Sequence, residues 1–524
     1  RAATAPCGRE HHAREQTMTE GGLARRIRWM GVFILVCFVA VFVQLNNLQV
    51  VQAHKYASDP NNPAVAAARD SQPRGAITSV EGTVLAQSVK APKGSTFAYD
   101  RQYPTGPLFG QITGTFSYYH GLFGVEASYN SYLIAHNRPL KSLGDLLTTS
   151  TVTDTVILTL SDKLQMAAQQ ALGGRDGSVV VLDPSTGAVE AMYSNPSYDP
   201  GPLASQVAKT VHDAWIADTS TKDAQGHLPF TSLAYQDTAF PGSTFKVVTT
   251  TATYEKAPQF VNASMPYYTC IPPKTLGGQT TPLCNYGNGG CGGTIAEMLP
   301  PSCDTGYAIL GTKVGADNMV AAADAFGFNK QPPLDLPPSP FEVSQFLQPN
   351  CYQNAEIFLA FSSIGQFCTR ATPLQMAMVA AAVANKGVIM TPHVMDQIRD
   401  SGGNLVKTYA PTTWLTAMSP QTASAVNGLM VGVTHNSNGT AAGIFPPSED
   451  VAAKTGTAQV QNAAGQYIAT NDWMIAFAPA NAPKVAIAVE LLDQPVSGTG
   501  AEKAGPVMAT MIQDVLSAPA AAGH

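Results

Sequence analysis

A long uncharged segment near the N-terminus sets the strongest constraint on how this chain can fold. No charged residue occurs between positions 29 and 53, and the part from Trp29 to Val43 is almost continuously apolar. Because a helix needs roughly 20 apolar residues to cross a bilayer, residues 29–48 are predicted to form a transmembrane anchor. Three arginines within residues 25–28 precede it, which places its N-terminal end in the cytoplasm. Everything after about His54 is then expected to lie outside the membrane.

A cleaved signal peptide is the alternative, because Val51-Gln52-Ala53 resembles the small-residue pattern before a cleavage site. These residues lie well beyond the apolar run, which favours a retained anchor. Residues 1–17 have no methionine and no periodic pattern, so we expect them to be a mis-assigned start or a tag. Residues 1–28 are predicted to be a cytoplasmic tail.

Cysteine usage agrees with an exterior location. Six cysteines follow the anchor, an even number, and in an oxidising compartment this indicates disulfides rather than free thiols. We expect neighbours in sequence to pair, giving Cys270–Cys284, Cys291–Cys303 and Cys351–Cys368. A buried free thiol is the alternative for Cys303. No Cys-x-x-Cys pair occurs after the anchor, so no zinc site is expected, nor any other metal or cofactor.

Charge and length exclude some classes of function and predict several domains. The chain has 30 basic and 36 acidic residues, a net charge of −6, and no basic stripe with interleaved aromatic residues, so nucleic-acid binding is not expected. A chain of 524 residues is too long for one ordinary domain. Residues 49–150 are predicted to form a small α+β domain without catalytic residues. It begins with a linker at Tyr56–Arg69 and two short strands near residues 73–77 and 82–86, and its many aromatic residues are interpreted as a core rather than a ligand site.

Residues 151–518 are predicted to form one large α/β domain. Turn residues and runs of β-branched side chains predict strands at both ends of this region, and a mostly helical middle. One sheet is therefore expected to be assembled from both ends of the region. The predicted strands are 156–158, 177–182, 188–193, 452–460, 472–478 and 484–492, with helices at 160–172 and 504–516.

A helix start in the middle of this domain carries the first chemical signal. Pro241-Gly242 is followed by Ser243 and then by a run without glycine or proline. Ser243 and Lys246 are three residues apart and so share one face of a helix. A serine hydroxyl becomes a nucleophile when an adjacent base, such as a desolvated lysine, takes its proton. Ser-x-x-Lys alone is a weak signal, because it often marks only a helix cap.

Two further motifs follow in order. Pro301-Ser302-Cys303-Asp304-Thr305 closes a loop and begins a helix. Lys454-Thr455-Gly456-Thr457 falls on a predicted strand, where Gly456 allows a substrate backbone to approach closely and the lysine and threonines suit a carboxylate. Each triplet is common, but the ordered set Ser-x-x-Lys, Ser-x-Asp, Lys-Thr-Gly is not.

With these motifs the chain resembles a class B penicillin-binding protein, most closely the penicillin-binding protein A subgroup. Gly365-Gln366 and Thr372-Pro373-Leu374-Gln375 add to the resemblance, which covers nearly everything after residue 18. It implies a penicillin-binding/β-lactamase-like transpeptidase domain with a mixed sheet, flanking helices and an all-helical subdomain. It also implies a membrane-anchored D,D-transpeptidase that cross-links peptidoglycan stem peptides, using a D-Ala-D-Ala donor and an amine acceptor, and is acylated by β-lactams. Cell-wall assembly proteins are candidate partners.

The resemblance also implies roles for individual residues. Ser243 would be the nucleophile, Lys246 its base, and Ser302 the proton shuttle to the leaving group, while Lys454 keeps the local field positive. The backbone N–H groups of Ser243 and Thr457 would form the oxyanion hole. Thr455 and Thr457, next to Gly456, would bind the carboxylate of the donor peptide or antibiotic.

One residue departs from the family pattern, because the second motif ordinarily ends in asparagine and here ends in Asp304. An ionised Asp304 would stabilise the charged form of Lys246, whereas a protonated one would mimic the amide. We therefore hypothesise a protonated Asp304 and faster acylation under mildly acidic conditions. Ser128-Tyr129-Asn130 has the family's letters but precedes Ser243 and is rejected as a substitute.

Other functions share these motifs. A β-lactamase would need a carboxylate to activate a deacylating water, and no convincing candidate segment is found. A D,D-carboxypeptidase would use the same residues with water as acceptor, and the residues alone leave it open. The region before Thr151 is too short for a glycosyltransferase domain. A weakly active β-lactam sensor or cell-wall scaffold is the remaining alternative, favoured by the change at Asp304.

Overall fold

The computed structural model describes residues 20–48, 52, 71–137, 151–223, 226–280, 282–338, 343–352, 355–462 and 464–517. Most of the predicted tail, the linker at Tyr56–Arg69, the end of the N-terminal domain at 138–150 and the last predicted residue, 518, lie outside the described residues. The chain divides into two units, Arg1–Arg69 and Asp70–His524.

In the first unit, a single helix (α1, Glu20–Asn46) covers the predicted anchor. Its part from Arg25 to Asn46 has 22 residues and is long and apolar enough to cross a membrane. The side chains from Arg25 to Asn46 are exposed, including large ones such as Phe33 and Phe42. This helix begins before the predicted span of 29–48 and ends two residues short of it.

The second unit contains the strands of two larger sheets and most of the long helices. The strands of the two sheets are β1 (Ile77–Thr78), β2 (Val84–Lys90), β3 (Tyr99–Gln102), β4 (Thr155–Leu158), β5 (Gly177–Leu182), β6 (Val189–Asn195), β7 (Met395–Arg399), β8 (Leu405–Thr408), β9 (Ala452–Gln461), β10 (Tyr467–Ala478) and β11 (Val485–Gln494). The helices of eight or more described residues are α2 (Asp162–Leu172), α3 (Ala208–Thr219), α4 (Lys246–Lys256), α5 (Asp304–Val314), α6 (Ala316–Ala325), α7 (Glu356–Ser363), α8 (Pro373–Ala384), α9 (Pro420–His435) and α10 (Gly500–Ser517).

Shorter elements connect these. Short helices lie at Gly106–Leu108, Gly110–Thr113, Gly124–Ser128, Asn130–Leu133, Pro200–Leu203, Gly242–Phe245, Pro258–Phe260, Tyr286–Asn288, Ile295–Met298, Pro349–Tyr352 and Pro447–Glu449. Two-stranded pairs are Phe116–Ser117 with Gly121–Leu122, His136–Asn137 with Thr151–Val152, Met265–Tyr268 with Cys291–Gly293, Cys270–Ile271 with Leu283–Cys284, Gln345–Phe346 with Thr369–Arg370, and Val388–Met390 with Thr413–Thr416.

A six-stranded sheet joins the N-terminal part of this unit to later residues. Its strand order is β8-β7-β4-β1-β2-β3, and the β1–β4 pair is parallel. Two short strands were expected near residues 73–77 and 82–86; the observed β1 shares only Ile77 with the first, and β2 begins at Val84 and extends to Lys90. They pair antiparallel, with Ile77 opposite Ala86. This sheet therefore contains strands from both sides of the predicted domain boundary at residue 150.

The five-stranded sheet confirms the prediction that both ends of the large domain share one sheet. Its order is β6-β5-β11-β10-β9, and every neighbouring pair is antiparallel. All six residues of β5 and the first eight of β11 are buried, because helices pack against this sheet: α8 contacts β5, β10 and β11, while α10 contacts β9, β10 and β11. The strand that carries the Lys-Thr-Gly motif, β9, lies at the edge of the sheet.

The helical middle of the domain contains the nucleophile helix α4, which packs against α5, α6 and α9.

Three disulfides close loops in this region, and they join the cysteines that were expected to pair, Cys270–Cys284, Cys291–Cys303 and Cys351–Cys368. The alternative of a free Cys303 thiol is thereby wrong in this structure.

Candidate active site

The turn that carries Ser243 begins as a tight helix. Gly242–Phe245 form one turn of 3₁₀ helix that continues directly into α4 at Lys246. Since side chains three residues apart eclipse one another on a 3₁₀ helix, Ser243 and Lys246 lie on the same side, as predicted. Gly242 has a φ of 53°, which favours glycine. Its N–H donates to the carbonyl of Gly365 at 2.9 Å.

Lys246 is fully buried and makes three polar contacts. Its Nζ donates to Asp304 Oδ1 at 2.6 Å, to the Ser302 carbonyl at 2.6 Å and to Ser302 Oγ at 3.3 Å. It also lies 5.5 Å from the centre of the Tyr307 ring. Burial lowers the pKa of Lys246, and the Asp304 carboxylate opposes this effect.

Ser302 lies between two lysines. Its Oγ accepts a hydrogen bond from Lys454 Nζ at 2.7 Å in addition to the one from Lys246. Its φ of 61° is in the left-handed region, which costs a residue other than glycine free energy and is frequent at functional sites. The Cys291–Cys303 disulfide anchors the next residue, and Cys303 is buried. The disulfide and the helix start at Asp304 therefore hold this serine in its strained conformation.

Asp304 contacts the nucleophile as well as the base. Its Oδ1 accepts a hydrogen bond from Ser243 Oγ at 3.3 Å and one from Lys246 at 2.6 Å, and its Oδ2 accepts one from the Tyr286 N–H at 3.2 Å. Both oxygens thus act as acceptors, which suits an ionised carboxylate. The protonated Asp304 that was hypothesised from the sequence stays a prediction.

Lys454 is the second buried cation of the site. Its Nζ donates to Ser302 Oγ and to the Thr455 carbonyl at 2.9 Å. Burial and the neighbouring Lys246 lower the pKa of Lys454 well below its ordinary value, against a smaller effect of Asp304. Two buried lysines that share one serine and one carboxylate therefore compete for the charged state, and this makes a neutral amine accessible.

The edge strand β9 lies directly against the nucleophile turn. An added Cβ at Gly456 would lie 2.7 Å from the Pro241 carbonyl, and one at Gly242 would lie 3.2 Å from the Thr457 carbonyl carbon. Only residues without a side chain at these positions let the two backbones come this close. The N–H groups of Ser243 and Thr457 are consequently on adjacent segments, as the predicted oxyanion hole requires.

The two threonines of the motif differ in their surroundings. The Thr455 hydroxyl is 2.6 Å from the Thr440 hydroxyl, and the residue is buried. Thr457 is only partly buried, and its Oγ1 accepts a hydrogen bond from the Gly500 N–H at 2.8 Å. Thr457 is thus the more accessible of the two, and the roles of both threonines in binding a substrate carboxylate stay predictions.

One residue of the site was missed by the sequence reasoning. Tyr286 bonds Asp304 through its N–H, and its hydroxyl donates to the carbonyls of Val496 at 3.2 Å and Gly498 at 2.7 Å. It therefore links the loop beside Asp304 to the segment between β11 and α10. The only signal in the sequence is its place between Cys284 and Cys291, which belong to two different disulfides.

Comparison with known proteins gives two family matches. Residues 177–513 match the penicillin binding protein transpeptidase domain, and residues 74–153 match the penicillin binding protein A dimerisation domain. The first match covers more than half of the chain.

Curated relatives and solved structures agree with these matches. A peptidoglycan D,D-transpeptidase PbpA from Mycolicibacterium smegmatis is 33% identical over 497 residues, covering 92% of this chain and 96% of the relative. The PbpA of Mycobacterium tuberculosis is 31% identical over 506 residues, with 94% and 98% coverage. The ceftriaxone acyl-enzyme of M. tuberculosis penicillin-binding protein A superposes with a TM-score of 0.76 at 32% identity, covering 86% of this chain and all of that one.

Proposed function

Because this chain belongs to the penicillin-binding protein transpeptidase family, we propose that its clustered motifs carry out the acyl transfer of a peptidoglycan D,D-transpeptidase, with Ser243 as nucleophile. The chain is a serine D,D-transpeptidase that forms acyl-enzymes with β-lactams. The observation that carries the assignment of residues is the convergence of Ser243, Lys246, Ser302 and Asp304 within hydrogen-bond distance.

In the first step, Ser243 Oγ attacks the carbonyl carbon of the D-Ala-D-Ala bond and its proton passes to neutral Lys246. Burial lowers the pKa of Lys246 and so favours its neutral amine, while the Asp304 carboxylate opposes this effect; a lysine base has to be neutral. Asp304 Oδ1 accepts hydrogen bonds from Ser243 Oγ and Lys246 Nζ and so holds the two side chains close to each other. The oxyanion that develops on the substrate carbonyl is stabilised by the N–H groups of Ser243 and Thr457.

In the second step, the tetrahedral intermediate collapses and the peptide C–N bond breaks. The leaving amine needs a proton, and Ser302 Oγ, which lies between the Nζ atoms of Lys246 and Lys454, relays it. Terminal D-alanine departs and an ester on Ser243 remains. An amine from a second stem peptide then attacks this ester by the reverse sequence, which forms the cross-link and restores the serine.

Placement in the membrane and the division into domains are part of this proposal. Residues 29–48 anchor the chain in a single pass, residues 49–150 form a non-catalytic region, and residues 151–518 form the catalytic domain on the outer side. The three disulfides support an oxidising exterior. Labelling of intact cells with a membrane-impermeant fluorescent penicillin tests this, and absence of label until the cells are lysed would contradict the topology.

The test of the nucleophile is intact mass measurement after incubation with penicillin, followed by peptide mapping. We expect one adduct on the peptide that contains Ser243, and none on the Ser243→Ala variant. The variant Ser302→Ala is the matched control, because it also removes a hydroxyl from the site but leaves the nucleophile in place. It should still form the adduct, more slowly. An adduct on any other residue would refute the assignment.

A donor peptide with an added D-amino acid separates cross-linking from hydrolysis. We expect the exchange product to exceed the hydrolysed peptide, as in a transpeptidase. Hydrolysis alone would mark a D,D-carboxypeptidase, and acylation without turnover of any peptide would mark a sensor. We further propose that cell-wall assembly proteins bind the region 49–150. Co-purification of such proteins should survive Ser243→Ala and be lost when this region is exchanged.

A further inference from the structure

An ion pair lies behind the strand that carries the Lys-Thr-Gly motif. Asp472 on β10 is fully buried, and Lys503 in the first turn of α10 lies 3.0 Å from its Oδ2. Thr470 donates a hydrogen bond to the same oxygen, also at 3.0 Å. Lys503 also donates to the carbonyl of Pro495. Groups from β10, from α10 and from the segment between β11 and α10 therefore hold this pair in one place.

The register of the sheet places the pair next to Thr457. Strands β9 and β10 are antiparallel, and Thr457 lies opposite Asp472. Residues directly opposite each other on antiparallel strands share one face of the sheet, with their Cβ atoms about 4.5 to 5.5 Å apart. Thr457 Oγ1 also accepts a hydrogen bond from the N–H of Gly500, the first residue of α10, at 2.8 Å. Thr457 thus contacts the helix turn that carries Lys503, on the same face of the sheet as Asp472.

The hydroxyl of Thr457 has a single proton to donate. Oδ1 of Asp472 is buried and accepts no full hydrogen bond from the described residues, so this carboxylate has an acceptor to offer. Burial raises the pKa of Asp472, and hydrogen bonds from Lys503, Thr470 and Thr457 oppose this rise. The Thr457 side chain is therefore close enough to favour the ionised form. Asp472 and a ligand carboxylate consequently compete for the same hydroxyl proton.

The negative charge of Asp472 also acts on the accessible part of the site. Tyr286 is exposed, and its N–H bonds the carboxylate of the second motif. Burial, followed by the charges of Asp472 and Glu502, raises the pKa of Tyr286. Lys503 is the ion-pair partner that offsets the charge of Asp472. Without it, a carboxylate that binds at Thr457 would approach a buried negative charge and be repelled.

We propose that Asp472 and Lys503 are a compensated charge pair that sets how strongly the site recognises the carboxylate of a donor peptide or antibiotic. The proposal rests on the predicted role of Thr457 in binding that carboxylate. Lys503 offsets the buried charge and so allows Thr457 to donate its proton to the ligand, whereas Asp472 weakens this recognition. Neither side chain transfers a proton in the reaction, so both determine specificity.

The experiment uses the full chain purified in detergent and follows acylation over a series of penicillin concentrations, which separates the binding constant from the acylation step. We expect Asp472→Asn, which leaves a positive charge beside Thr457, to bind penicillin about threefold to tenfold more tightly, and Lys503→Met to bind it more weakly by a similar factor. The double variant should return to within about twofold of the wild type, and the acylation step should change less than about twofold in all three.

A control ligand and a control variant accompany this measurement. Penicillin methyl ester has no ionised carboxylate, so its acylation rate, followed by intact mass measurement, should not respond to the two charges. Lys484→Met is the matched control variant. Lys484 is exposed and directly precedes β11, at the end of the sheet away from Asp472, which pairs with Leu491. This variant should leave the binding of both ligands unchanged.

Opposite effects of the two single variants, cancelled in the double variant, separate a charge effect from a structural one. Weaker binding in both single variants, no recovery in the double variant, or equal effects on penicillin and its ester would overturn the proposal. If Lys503→Met does not fold, Asp472→Asn decides alone, and binding no tighter than in the wild type overturns the proposal. Peptide mapping keeps the assignment of Ser243 separate, because an adduct on Ser243 with unchanged binding refutes the charge pair only.

Discussion

Replacing Asp304 by asparagine tests how the base is controlled. The carboxylate accepts a hydrogen bond from Lys246 at 2.6 Å and opposes the lowering of the lysine pKa by burial. A hydrogen bond to a charged acceptor contributes about 1.5 to 3 kcal/mol and one to a neutral acceptor about 0.5 to 1.5 kcal/mol. Asp304→Asn therefore removes about 1 to 1.5 kcal/mol of preference for the ammonium form.

We expect Asp304→Asn to speed acylation at low pH. The variant lowers the pKa of Lys246 further, so the neutral base is present at lower pH. Since about 1.4 kcal/mol corresponds to a factor of ten, acylation should become about five- to tenfold faster at pH values where most of the wild-type lysine is protonated. At higher pH the two rates should converge.

The assay is the second-order rate of acylation by a fluorescent penicillin between pH 5 and 10, followed by stopped flow. Asp396→Asn removes a carboxylate that hydrogen-bonds the neighbouring Gln397 and serves as the control with an unchanged profile. A slower rate for Asp304→Asn at every pH, or a gain of the same size throughout, would refute the reasoning. Either result would show that Asp304 acts by positioning Ser243 or Tyr286 through its hydrogen bonds, and not by changing the pKa of Lys246.

Three further predictions concern the stability of the protein and the rate of its acylation. Gly456→Ala should destabilise the protein by about 1 to 3 kcal/mol through overpacking and slow acylation, both measured on one preparation; a normal rate would contradict the close approach of strand and turn. Removing Cys291 and Cys303 together opens a loop with a sequence separation of 12, which should cost about 3 kcal/mol and slow acylation, whereas removing Cys351–Cys368 should affect stability alone. Burial and a nearby carboxylate raise the pKa of Glu190 to about 7, so the folded state takes up a proton below pH 7 and becomes more stable as the pH falls. Glu190→Gln should therefore be up to about 3 kcal/mol more stable than the wild type at pH 8, with no difference near pH 4 in denaturant titrations; equal stability at pH 8 would disprove the effect of burial.

The catalytic sheet could be predicted because its signals are local. Strand β5 is a short apolar run that ends at the Pro184–Gly187 turn, and its partner β6 follows immediately. The last three strands, β9, β10 and β11, are likewise separated from one another by short segments of turn-forming residues. The motif residues could also be placed, since Ser243 and Lys246 are neighbours on a helix turn and the order of motifs identified the rest.

The remaining features depend on long-range pairing or on loop geometry, which leave little trace in sequence. Strand β1 has only two residues and becomes a strand because β2 and β4 flank it. The left-handed conformation of Ser302 depends on its tertiary context, and the contact of Tyr286 with Asp304 depends on where two disulfides hold a loop. The hydrogen-bond partners of Asp304 could not be predicted, because Lys246 and the Tyr286 N–H come from separate parts of the chain.

The pairing of β5 with β11 bears on how the enzyme is made. Val181 lies opposite Ile487, so the centre of the catalytic sheet stays open until some 300 further residues have been synthesised. A nascent chain that stops before β11 leaves β5 and β10 without their common neighbour, and we expect it not to form a cleft that penicillin can acylate. A covalent penicillin label on cells that are making this protein thus counts completed molecules, and translation fragments go undetected.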